Sequence, residues 1–118
     1  MARTAPVTVV ETPEFLAAAA KLMDEAERMR LVDPLAHNPV AGDLVPGTGG
    51  VRKLRWALAG RGKRGGARVN YFYHDPGMPL FALTAYAKNQ RADLSQQDRN
   101  DFERLTALLV EASRRRKR

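Results

Sequence analysis

The 118 residues, 44% hydrophobic and 28% charged, suit a single soluble domain (residues 1–118) around one core. The absence of cysteine excludes disulfides and cysteine-based metal sites, and no window approaches the roughly 20 apolar residues of a membrane span. A net charge of +7 points instead to an anionic partner, with a cytoplasmic location expected because "MARTAPVTVV" lacks the apolar run of a signal peptide.

In chain order, "VTVVE" (residues 7–11) is short, β-branched and apolar, and predicts a strand. Thr12 followed by Pro13 is a helix start, with Thr12 as N-cap. Phe15, Ala19, Leu22, Ala26 and Met29 recur at helical spacing. Asp24 and Glu27 are spaced as a second cap, so the segment is one long helix or a helical hairpin. Pro34 is expected to interrupt its end, and Asn38-Pro39 to stop it. "VAGDLVPGTGG" reads as loop. Residues 51–59 and 67–73 read as strands around a glycine-rich loop at 60–66, and residues 80–88 as a further strand after the turn "HDPG". Ser95 and Asp98 form a capping box ahead of the stripe Phe102, Leu105, Leu108, Leu109 and Ala112, and the chain ends in a basic tail at 114–118. The expected fold class is therefore α+β: a small antiparallel sheet packed with helices.

Residues 52–73 carry Arg52, Lys53, Arg55, Arg61, Lys63, Arg64 and Arg68, and residues 44–74 contain no carboxylate. Side chains alternate along a strand, so parity sorts them. Leu54, Trp56 and Leu58 share one face, with Val69, Tyr71 and Tyr73; Phe81, Leu83 and Ala85 are expected with them. Lys53, Arg55, Arg68, Asn70, Tyr86 and Lys88 are offered to the opposite face, where Phe72 also points. Arg52 falls on the other parity and is expected at an edge. A solvated face normally mixes both signs of charge, and like charges across strands repel. Cations interleaved with the aromatics Phe72 and Tyr86 suit phosphates and unstacked bases.

"GRGKRG" matches G-x-G-x-x-G, but a strand follows where the dinucleotide fingerprint needs a helix, so no nucleotide cofactor is expected. His37 and His74 have no carboxylates at ligand spacing, so no metal is expected either.

The segments "NPVAGDLVPGTGGVRKLRW", "GRGKRGGARVNYFY" and "LTAYAKNQRADLS" resemble the RelE/HigB group of bacterial type II toxin–antitoxin toxins, most closely a HigB-like branch with G-T-G-G-[LV]-R-K-[LI]-R, K-R-G-G-x-R and Y-x-K-N. The resemblance implies the element order β-α-α-β-β-β-α, with a helical hairpin after the first strand. It implies ribosome-dependent cleavage of messenger RNA and neutralisation by a cognate antitoxin, expected to be of helix-turn-helix type. By motif the working residues carry over onto Lys53, Arg55 and Arg68, with Lys88 and Tyr86 added from "YAKN". RelE has an arginine directly after the position of Lys88, where this sequence has Asn89.

RNA supplies its own nucleophile, the ribose 2′-hydroxyl. Attack on the adjacent phosphate needs a base, neutralisation of the pentacovalent state and an acid for the 5′-oxygen. The planar guanidinium fork matches phosphate oxygens, which suits Arg55 and Arg68. A lysine crowded by cations sheds its proton more readily, so Lys53, then Lys88, is the candidate base. Arg52, Arg61, Lys63, Arg64, Asn70, Phe72 and Tyr86 are the expected RNA or ribosome contacts. The alternatives are a ParE-like toxin that poisons DNA gyrase and a non-catalytic module that binds RNA or ribosomes.

Overall fold

The computed structural model describes residues 5–58, 66–91 and 93–116. Its elements are β1 (Val9–Glu11), α1 (Pro13–Ala20), α2 (Glu25–His37), β2 (Asp43–Leu44), β3 (Val51–Trp56), β4 (Ala67–Phe72), β5 (Leu80–Ala87) and α3 (Gln96–Arg116). The five strands form one sheet in the order β1-β5-β4-β3-β2. The α+β class and the element order stand, with two refinements. Residues 43–44, read as loop, add a short antiparallel strand at one edge. At the other edge β1 pairs parallel to β5, so the sheet is mixed. A lone apolar run carries no information about which strand it will pair with or in which direction.

The helical hairpin forms from two local caps. Thr12 Oγ1 accepts from the Phe15 amide at 3.2 Å and donates to the Ala82 carbonyl at 2.8 Å, so one hydroxyl both starts α1 and ties it to β5. Asp24 caps α2 by accepting from the Glu27 amide at 2.8 Å. Pro34 does not end α2, which runs through it to His37. The correction is physical: near a C-terminus proline removes a single amide, and Leu31 and Leu35 beside it are buried at 0% and 1% exposure. Asn38-Pro39 does end the helix.

The hairpin covers one sheet face, where Phe15, Ala19, Leu31 and Leu35 pack with Val69, Tyr71 and Ala82. The other face is covered by α3, with Phe102, Leu109 and Val110 against Val51, Phe72 and Leu83. The expected parity therefore breaks inside β5. Asn70 pairs with Thr84 but Tyr71 pairs with Ala82, so Leu83 is an extra residue in a bulge. Ala85 stays on the hairpin face, whereas Phe81 and Leu83 pass to the α3 side.

"PGTGG" fixes how α3 lies over the sheet. Gly47, Gly49 and Gly50 have φ of 77°, 75° and 114°, which only glycine adopts without strain. Thr48 inside the turn donates to the Val45 carbonyl at 2.7 Å and accepts from the Val51 amide at 3.0 Å. Thr106 of α3 then donates to the Thr48 carbonyl at 3.2 Å, and a Cβ at Gly49 would collide with Thr106 Oγ1. The capping box starts α3 as expected: Ser95 and Asp98 exchange hydrogen bonds of 3.0 Å in both directions.

Candidate functional site

Strand register sets the site. Arg55 on β3 lies directly opposite Arg68 on β4, which lies opposite Tyr86 on β5. One row along, Lys53 faces Asn70 and Asn70 faces Thr84. Directly opposed residues project to the same face, so Lys53, Arg55 and Arg68 share one side of the sheet. This is the α3 side, at the end of the sheet away from the Phe72 core.

Arg55, Arg68 and Lys88, with Trp56, Ala57 and Gly66, line an open depression of ≈ 420 Å³. Arg55 is exposed, whereas Arg68 keeps only 7% of its surface. Among the described residues neither guanidinium has a hydrogen-bond or ion-pair partner. Two like charges directly across a strand pair repel, and both arginines border the open depression.

Lys53 stands beside the depression and is not part of its lining. Its ammonium lies 3.7 Å from Asp93, whose other oxygen meets Arg99 at 3.3 Å. The cations of residues 52–68 are thus not wholly uncompensated, because the fold brings a carboxylate from beyond β5. Arg91, in the same loop, lays its guanidinium 4.4 Å above the Tyr86 ring and bonds Asp98 at 3.0 Å. Arg91 and Asp93 escaped the reading by sequence. Their partners lie on other strands or on α3, and no local spacing announces such contacts; the one usable signal was a third arginine close behind Asn89.

Several expected contact residues are placed elsewhere. Phe72 is 1% exposed and Asn70 0%, so neither offers a surface to RNA: α3 and its leading loop cover the part of the face where they lie. Arg52 donates to the carbonyls of Gly42 at 2.8 Å and Val40 at 3.3 Å, which commits it to holding the chain ahead of β2. Tyr86 is 7% exposed among Val45, Leu94 and Phe102, with Arg91 over its ring, so stacking a base there is closed off. Burial, with the nearby Asp93 charge adding to it, raises the Tyr86 phenol above its ordinary value, so the hydroxyl remains a donor at neutral pH. Arg61, Lys63 and Arg64 lie outside the described residues.

His37 bonds the carbonyl of Asp33 and His74 stacks on Phe72, both away from this site. Among the described residues no three His, Cys, Asp or Glu side chains gather as a metal ion would need, and no helix is long and apolar enough to cross a membrane.

The family model described as the RelE toxin of the RelE / RelB toxin-antitoxin system matches residues 12–116. The chain belongs to the RelE toxin family. The match spans every element from α1 to α3 and includes the whole cationic depression. This RelE-family protein is accordingly a toxin of a toxin–antitoxin system, and the family implies an antitoxin as its partner.

Proposed function

We propose that this RelE-family toxin is an endoribonuclease that cleaves messenger RNA on the ribosome and so stops translation, restrained by an antitoxin of helix-turn-helix type. The observation that carries the reading is Arg68, a residue only 7% exposed that is set against Arg55 and has no carboxylate partner among the described residues. A scissile phosphate supplies the opposite charge. Its non-bridging oxygens accept from the Arg55 and Arg68 forks, which hold the added negative charge as the pentacovalent state forms. Lys88, which borders the same depression, takes the 2′-hydroxyl proton in this scheme in place of Lys53, the first candidate base from sequence. The oxygen attacks phosphorus in line, and the departing 5′-oxygen takes a proton from the Lys53 ammonium beside it. The ribosome's part is to hold the message in the bent geometry this attack needs, which is worth several kcal/mol of barrier. Arg91 adds a third guanidinium to the approach, two residues beyond Asn89.

The test is a message on programmed ribosomes. Wild type is expected to cut it, leaving an upstream 2′,3′-cyclic phosphate or 3′-phosphate, and Arg68→Ala to cut it roughly 10²–10³ times more slowly. Arg68→Lys recovers part of the rate, because charge returns without the fork. Intact messages with supercoiling activity lost in a gyrase assay would overturn the reading in favour of a gyrase poison. Binding to ribosomes is expected to weaken by orders of magnitude over a fourfold rise in salt, as phosphate contacts require; a flat titration would exclude the basic face as the contact.

A further inference from the structure

Asn70 stands at the centre of the cationic face, between Lys53 and Thr84 and one row from Arg68. It is 0% exposed, and among the described residues neither its amide nitrogen nor its carbonyl oxygen has a partner. The Tyr86 hydroxyl, on the diagonal position of the same face, is likewise buried without a partner. A carboxamide brings two donors and two lone pairs, and buried groups of this kind are matched almost without exception, by protein or by ordered water. Diagonal neighbours stand about 7–8 Å apart along the backbone, within reach of a tyrosine side chain. Leu94 and Phe102 pack around Tyr86 and shield it from bulk solvent.

We infer that Asn70 and Tyr86 share a buried water, and that through it Asn70 positions the phenol on which Arg91 rests. The water accepts from the Tyr86 hydroxyl and donates to the Asn70 carbonyl, leaving the amide N–H₂ for a second water or for the Thr84 side of the face. With its hydroxyl tethered, the ring keeps one tilt, and the guanidinium above it keeps one place beside the phosphate site. Asn70 touches no substrate; it is a positioning residue, and its effect on cleavage rests on the endoribonuclease reading above.

Two readouts are independent of cleavage. In wild type, the Asn70 carboxamide protons should show a cross-peak to a long-lived water, and the Arg91 guanidinium resonances should be displaced by the ring beneath them. Asn70→Leu should return the Arg91 resonances toward ordinary values, because leucine has no carbonyl to hold the water that tethers the Tyr86 hydroxyl. Carboxamide protons with no water cross-peak, or Arg91 resonances unmoved in Asn70→Leu, would overturn the inference. In the cleavage assay, Asn70→Leu should lower kcat about tenfold with KM unchanged, by displacing a group near the reacting phosphate. Tyr86→Phe should cost about as much, and the double variant no more than either alone. Losses that multiply, or an Asn70→Leu variant as fast as wild type, would refute the coupling. A wild type that cuts no message would instead count against the endoribonuclease reading and leave the first two readouts in force.

Discussion

Arg68→Met should make this protein more stable while disabling it. The residue is 7% exposed, has no counter-ion among the described residues and lies directly across from Arg55. Relief of a like-charge cross-strand pair is worth about 0.2–1 kcal/mol, and exchange of a poorly solvated cation for an apolar chain adds to it. Methionine is unbranched and adapts to the space the arginine stem leaves. A gain of about 1–2 kcal/mol follows. At about 2.1 cal/mol/K per residue, a chain of 118 residues unfolds with about 0.25 kcal/mol/K, so the melting temperature should rise by about 4–8 °C. Cleavage of a ribosome-bound message should fall by roughly 10²–10³ in the same variant, because a transition-state donor is gone. Calorimetry and single-turnover cleavage on one preparation decide it. A lower melting temperature, or a rate within a few-fold of wild type, would show that Arg68 is an ordinary structural residue and that the unpaired charge has no ligand.

Gly49→Ala should cost more stability than Gly47→Ala, although both have φ near +75°, because a Cβ at Gly49 meets Thr106 Oγ1 while one at Gly47 meets open space; denaturant melts should separate them by about 1 kcal/mol or more, and equal losses would mean the turn does not dock α3. Ser95→Ala should lose about 1 kcal/mol of stability by removing the cap. The Asp98 carboxyl is held below its ordinary 3.8 chiefly by the Ser95 amide, so its contribution is present above that pH and lost as pH falls through the lower folded value; melts carried into acid should show this loss in wild type and not in Asp98→Asn. Burial raises the phenols of both Tyr71 and Tyr86 above 10.0, so an alkaline absorbance titration should find two late tyrosines, with the stability they contribute present below pH 10.0 and lost as pH rises through their folded values.

What the sequence made legible was local or periodic. The caps at Thr12, Asp24 and Ser95 announce themselves within three residues, and alternation placed Lys53, Arg55 and Arg68 on one face. What it hid was decided by contacts across the fold. The strand at residues 43–44 is held by Arg52 and by Tyr71, whose hydroxyl accepts from the Gly42 amide at 2.8 Å, and neither is near in sequence. The bulge at Leu83 exchanges faces midway through a strand that looks uniform as a string. Phe72 and Asn70 looked like surface residues because nothing in their own segment shows that α3 and the loop before it lie above them. Asp93 and Arg91 entered the site the same way, from a loop whose partners are distant.

The most direct test of the account places a single 2′-deoxy sugar on the 5′ side of the cleaved bond in a ribosome-bound message. The deoxy message should bind with unchanged affinity and remain whole, while the all-ribose message is cut and a chelator makes no difference to the cutting. Cleavage of the deoxy message at the wild-type rate would contradict the account, since the attacking oxygen would then come from elsewhere and the Arg55–Arg68 depression would not be the place where the ribose attacks its own phosphate.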